Sequence, residues 1–266
     1  VHRLRLIIPT GIESETVHAG GAFEMVERPW HFPHDGTWNQ PEVPTKHMRN
    51  LVLAEDDVGG LALFAPGSNE YEARLGDNSG LELCLTMLRS VGWLSRDGFA
   101  WRRNRAGPCF PAPGAQCHGH HFIKWGIMPF EGSWQDSQTS YFDHGVHEIA
   151  ESYGSQIAFV PGLPKPQLNA TFDPLPEAGP LGTRVQTWHL EGEKPLPIAA
   201  SCKPCEDGRG FAIRLWNPTS TDWNGNLCSD LNLNVESCDM LERVIKPCKN
   251  GTICVPAGGI ATFRMG

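Results

Sequence analysis

The chain has 266 residues, and its 29 glycines and 22 prolines exclude a helical bundle, whose ladders such residues interrupt. A hydrophobic share of 40% with 20% charged residues suits a folded core rather than a disordered tail. With 22 Lys and Arg against 30 Asp and Glu, the net charge of −8 excludes the basic face that nucleic acid requires; no apolar run reaches the roughly 18 residues of a membrane-crossing helix.

The expected class is all-β, short strands punctuated by turns. Residues 3–8 (Arg3-Leu4-Arg5-Leu6-Ile7-Ile8) alternate as a strand and turn at Pro9-Thr10-Gly11. A chain that opens on Val1 with a strand already under way is expected to be a piece of a longer protein. Residues 50–54 and 60–64 read as two apolar strands around the acidic turn Glu55-Asp56-Asp57. Leu81, Leu83, Leu85 and Met87 repeat with period two and predict a half-buried strand. Residues 121–128 form a further strand candidate ending at Pro129. Val146, Ile149, Ala150, Tyr153 and Ile157 follow helical spacing and predict a short amphipathic helix or turn over 143–156. Residues 211–215 and 231–235 complete the strands, the latter alternating apolar and polar. The Pro- and Gly-rich stretches 28–44 and 161–182 predict long irregular loops. A polar, turn-forming stretch at 201–210 suggests a domain boundary.

Clusters with metal-binding residue types are weak in pattern. Cys117-His118-Gly119-His120-His121 contains good zinc ligands, but in a strand neighbours face opposite ways, so an ordinary polar strand edge is expected. His144 and His147 lack the His-Glu-x-x-His form and predict a solvated helix face. Cys202-x-x-Cys205 has no second close pair to complete a zinc ribbon. The nine cysteines, an odd number, read as reduced thiols of a cytoplasmic protein, with disulfides in the last third left open. No nucleophile elbow and no phosphate-binding glycine loop occurs. Nine tryptophans against three tyrosines suggest sugar-stacking faces; Trp30, Trp38 and Trp134 fall in loop-like segments, although covering loops and cores is the expected task of most of them.

The central stretch carries a resemblance. Gly60-Leu61-Ala62-Leu63-Phe64, Asn69-Glu70-Tyr71-Glu72, the run from Leu85 through Arg89-Ser90-Val91-Gly92-Trp93 to Arg96, Ala106-Gly107-Pro108 and Pro113-Gly114-Ala115-Gln116 follow one another in this order. Together they resemble the C-terminal region of glycoside hydrolase family 38, the α-mannosidases, and within it the bacterial type that includes mannosylglycerate hydrolase. The flanks His2-Arg3-Leu4-Arg5, residues 211–218 and the closing Pro256-Ala257-Gly258-Gly259-Ile260-Ala261-Thr262-Phe263 agree.

The resemblance implies a large galactose-mutarotase-like supersandwich over 1–203 and a small terminal β-sandwich over 204–266. It implies an α-mannoside substrate, and a partner in the N-terminal catalytic domain of the same enzyme, which holds zinc or another divalent metal and the Asp nucleophile. On this chain it assigns no catalytic residue, no metal ligand and no cofactor. For substrate binding it points to Arg89, with Arg96 and Arg102 as second choices: an arginine can donate charge-assisted hydrogen bonds to sugar hydroxyls or a carboxylate. Pairing of Arg89 with an acidic neighbour is the structural alternative. A free-standing carbohydrate-binding module and a purely structural scaffold are the rival functions; self-association is left open.

Overall fold

A computed structural model describes residues 2–31, 42–77, 80–98, 105–135, 145–154 and 187–266. They fall into two units. The first runs to Gly154 and includes Pro218–Ser220; the second holds the described residues from 187 to Asn217 and Thr221–Gly266.

The first unit contains β1 (His2–Pro9), β2 (Thr16–Gly20), β3 (Met25–Pro29), β4 (Thr45–His47), β5 (Asn50–Glu55), β6 (Gly59–Ala65), β7 (Glu70–Leu75), β8 (Leu81–Ser90), β9 (Gly126–Glu131) and α1 (Val146–Gly154). Two antiparallel sheets form, in the orders β1-β8-β7-β4 and β3-β2-β5-β6-β9. Period-two alternation decides how they face. Leu81, Leu83 and Leu85 of β8 point inward with Leu6 and Ile8 of β1, and meet Val17, Ala19, Val52, Ala54, Leu63 and Ala65 of the other sheet. The opposite faces of β5 and β6 are also apolar: Leu51, Leu53, Ala62 and Phe64 pack under Met128, Phe130, Trp134, Val146 and Ala150. The runs Leu51-Val52-Leu53-Ala54 and Ala62-Leu63-Phe64-Ala65 are therefore buried on both sides, which explains why they read as continuous apolar stretches.

The helix forms as the 143–156 pattern predicts, over Val146–Gly154 among the described residues. Its face Val146, Ile149, Ala150 and Tyr153 meets β5 and β6. Gly145 N–H donates to Glu148 Oε2 at 2.7 Å, satisfying one of the donors that a helix start leaves open. Other expectations shift in register. The 121–128 candidate becomes β9 at Gly126–Glu131, and it runs through Pro129 because β9 is an edge strand, where a missing N–H costs no ladder bond.

The second unit is an antiparallel sandwich of β10 (His189–Gly192), β11 (Ile198–Pro204), β12 (Phe211–Trp216), β13 (Trp223–Cys228), β14 (Val235–Cys238), β15 (Val244–Pro247), β16 (Thr252–Val255) and β17 (Ile260–Met265). One sheet is β10-β13-β16, the other β11-β12-β17-β14-β15. Ile213, Leu215, Trp223, Leu227, Ile253, Val255, Phe263 and Met265 fill the space between. The expected boundary between residues 203 and 204 falls at the end of β11, which pairs with β12 along Ile198–Pro204. Of the 231–235 pattern only Val235 enters a strand. The all-β sandwich expectation is borne out.

Gly60 shows how tightly the first unit packs. A Cβ there would lie 2.3 Å from the Phe130 ring and 2.5 Å from the Ala54 carbonyl oxygen. Gly60→Ala is expected to lower the stability of this unit by about 1–3 kcal/mol in urea unfolding. Gly107→Ala, where an added methyl meets nothing within 4 Å, should leave the midpoint in place.

Candidate functional site

The outward face of the β1-β8-β7-β4 sheet carries the arginine that the resemblance points to. Straight alternation along β8 would send residue 89 inward with Leu85 and Met87. A bulge prevents this: Leu4 pairs with Leu88 but Arg5 pairs with Thr86, so Met87 has no opposite residue and Arg89 emerges on the outer face opposite Arg3.

There Arg89 joins a lattice of charges. Its Nη2 donates to Glu70 Oε1 at 2.5 Å, and Thr86 Oγ1 donates to the same oxygen at 2.5 Å. Arg3 and Arg5 both reach Glu72 Oε2, at 2.9 and 2.7 Å. Arg74 closes the far end on Glu82 at 2.8 Å. Burial by itself would raise the Glu70 carboxyl; the hydrogen bonds from Thr86 and Arg89 and the charges of Arg89 and Arg3 outweigh it and hold the group below its ordinary value. Arg89 is 46% exposed along its side chain, and among the described residues Glu70 is its ion-pair partner. A guanidinium has five N–H donors, so donors remain for a ligand. Arg96 is exposed in the loop after β8. Arg102 lies outside the described residues.

A second polar group sits on the helix-covered face of the other sheet. His18 pairs with Leu53 across β2 and β5, which puts its ring on the side of Glu55; His18 Nε2 lies 3.5 Å from Glu55 Oε1. Glu55 Oε2 accepts the Trp134 backbone N–H at 2.8 Å. Trp134, with ring centroids 5.8 Å from His18 and 6.3 Å from His147, is buried. Trp134 is thus a core residue rather than a loop platform for sugar, Trp30 packs against the main core, and Trp38 lies outside the described residues. His147 also departs from expectation. It is buried, not solvated, because the helix face that holds it turns toward Trp134.

The sulfur-containing clusters separate. Cys117 and Gly119 adopt positive φ of 52° and 119°, so 117–121 is a loop and not a strand edge; His121 Nε2 lies 2.7 Å from the Cys117 carbonyl oxygen. Cys202 on β11 is exposed, whereas Cys205, just past the strand's end, is buried. All nine cysteines stand as thiols. Among the described residues one group has donor atoms close enough to share an ion: His189, Glu191 and Cys228, all within 4.8 Å of one another. The available signal was His-x-Glu on a strand; the missing half was the register that sets Cys228 opposite His189.

No family profile matches the chain. A Halalkalibacterium halodurans protein, provisionally named a mannosylglycerate hydrolase, is 29% identical over 217 residues, which is 82% of this chain and 20% of that protein. Two solved structures share the fold across 99% of this chain and 26% of theirs. One is a protein in glycosyl hydrolase family 38 from Enterococcus faecalis, with a TM-score of 0.65 and 20% identity. The other is an alpha-mannosidase from Enterococcus faecalis V583, with a TM-score of 0.67 and 21% identity. The resemblance to family 38 is borne out. The chain spans about a quarter or less of the relatives it matches.

The charge lattice has a pH signature. Because the folded Glu70 carboxyl is held below its ordinary value of 4.5, it contributes stability above that pH, and the contribution disappears as the pH falls through the depressed value. Urea midpoints measured from pH 7 downward are expected to fall less steeply below pH 4.5 in Glu70→Gln than in the unsubstituted chain.

Proposed function

We propose that this chain is the C-terminal β region of a glycoside hydrolase that cleaves α-mannosides, mannosylglycerate among them. Its task is to support, and in part to line, a catalytic site that lies in the portion of the relatives this chain does not span. The observation that carries the reading is the likeness itself: 82% of the chain aligns with a protein named for mannosylglycerate hydrolysis, and 99% shares the fold of an alpha-mannosidase.

The residues present are consistent with a supporting task. The metal site expected of this family uses His and Asp. The one convergent donor group among the described residues includes a thiol and no Asp, and it faces outward from a sheet. It does not fit the catalytic ion, and no catalytic step is assigned to it. What the chain offers a sugar is hydrogen bonding. Arg89 stands half out of its sheet with donors unspent by Glu70, and a guanidinium recognises both hydroxyls and the planar carboxylate of a glycerate group.

One feature favours the binding-module reading as a second possibility. Trp93 and Phe110 are 46% and 58% exposed, and the loop segments that carry them are tied together by a bridge between Trp93 and Pro111 and by the Leu94 N–H on the Phe110 carbonyl. Exposed aromatic faces can stack on sugar C–H surfaces.

The deciding experiment uses the longer enzyme that carries this chain. It should hydrolyse aryl α-mannoside and mannosylglycerate, whereas the 266-residue chain alone should show no turnover above background. In the enzyme, Arg89→Ala is expected to raise KM for mannosylglycerate by roughly 10–100-fold, as loss of a charge-assisted bond predicts, with a smaller effect on the neutral mannoside. An unchanged KM with a lowered melting temperature would make the region a scaffold. Saturable quenching of tryptophan fluorescence when mannose is added to the lone chain would favour the module.

A further inference from the structure

We propose that the outward face of the β10-β13-β16 sheet binds one zinc-like divalent cation through His189, Glu191 and Cys228. The geometry comes from register. His189 lies directly opposite Cys228 across β10 and β13, and Glu191, two residues along β10, projects from the same face. The donor atoms all fall within 4.8 Å of one another, and His189 Nε2 is 3.2 Å from Glu191 Oε1.

These separations suit a small ion. With bond lengths near 2.0–2.3 Å, tetrahedral zinc holds its ligand atoms about 3.3–3.7 Å apart. The trio therefore needs about 1.5 Å of contraction at most, within the reach of side-chain rotations that bring the Cys228 thiol in toward His189 and Glu191. An imidazole, a carboxylate and a thiolate are a zinc donor set; magnesium and calcium demand oxygen ligands. Three protein ligands leave a fourth position toward solvent for water.

The trio is also incompletely satisfied on its own. His189 Nδ1 is buried and has no hydrogen-bond partner among the described residues, so engaging one ring nitrogen leaves the other unspent. Burial, then the charge and hydrogen bond of Glu191, push the Cys228 thiol up. A dication reverses that balance: Cys228 gives its proton to solvent, and the two negative ligands then match the ion's two positive charges. The physical result is a clamp. β10 is an edge strand of four residues, and the ion would fasten it to β13.

The test is a titration of the metal-free 266-residue chain with Co²⁺, a spectroscopic stand-in for zinc, followed by displacement with Zn²⁺ or Mg²⁺. A thiolate-to-cobalt charge-transfer band saturating at one ion per chain is expected. Zn²⁺ should remove it and Mg²⁺ should not. Cys228→Ser should abolish the band, and Glu191→Gln should weaken binding by about tenfold or more. Because Glu191 is exposed, that variant keeps the fold and decides the matter even where Cys228→Ser does not. Cys254→Ser is the control. Its residue pairs with Asn224, four positions and about 13 Å along β13 from Cys228, and the band should persist. No band, a band that survives Cys228→Ser, or binding that Glu191→Gln leaves unweakened would overturn the proposal and leave the three groups as a hydrogen-bonded cluster only.

Discussion

The first unit depends on one constraint, the burial of the β5–β6 hairpin on both faces. Leu51 pairs with Phe64 and Leu53 with Ala62 on one side; Val52 pairs with Leu63 and Ala54 with Leu61 on the other. Neither face can meet water without loss: each fully buried side chain of this size contributes about 1.5–3 kcal/mol relative to exposure. One face recruits the sheet that contains β8, and the other recruits β9, Trp134 and α1. The helix is thereby required, although the composition is that of a β protein. Glu55 marks where the burial ends. It closes the hairpin strand, receives the Trp134 N–H and lies beside His18, so the polar group at the edge of the helix layer follows from where the apolar run stops.

The β1-β8-β7-β4 sheet solves the complementary problem. It has one face to bury and one to leave wet, and its wet face is filled with ions of both signs. Exposed pairs of this kind contribute little individually. Glu72 is different, because its side chain is nearly buried and two arginines share one of its oxygens. Removing either arginine leaves a charge matched by the other; removing Glu72 leaves two cations adjacent. The acid is thus the keystone of the face and the arginines are mutually redundant.

What could be read from the sequence divides along the same lines. The strands of β1, β5, β6, β8 and β12 were legible because burial on one or two faces writes itself as alternation or as an apolar run. Short polar strands were not. Lys46, Tyr71 and Glu72 give no periodic signal, and β4 exists because β7 supplies its hydrogen bonds. Candidate sites were harder still, since each depends on register. The 117–121 cluster looked most metal-like yet lies in a left-handed turn, whereas Cys228 is nearly forty residues from His189 and Glu191 in sequence and adjacent to them in the sheet. Local spacing reports which residues share a face of one strand; it contains nothing about which residue of another strand lies opposite.

Arg89 joins both halves of that lesson. The motif around it made it a candidate, but the alternation of β8 taken alone would have buried it, and only the bulge against Leu4 and Arg5 returns it to the outer face. Having emerged, it is immediately engaged by Glu70, which constrains what it can do. An incoming carboxylate would compete with Glu70 for the guanidinium, and Glu70 is held firmly, by Thr86 as well as by two arginines. A ligand gains more by using the N–H groups that Glu70 leaves over than by displacing it. The pair then serves as a positioning device, with Glu70 fixing the plane of the guanidinium and the exposed edge presenting its donors in a set direction. Ion pairing and ligand binding are two uses of one side chain, compatible because a guanidinium has more donors than one carboxylate can take.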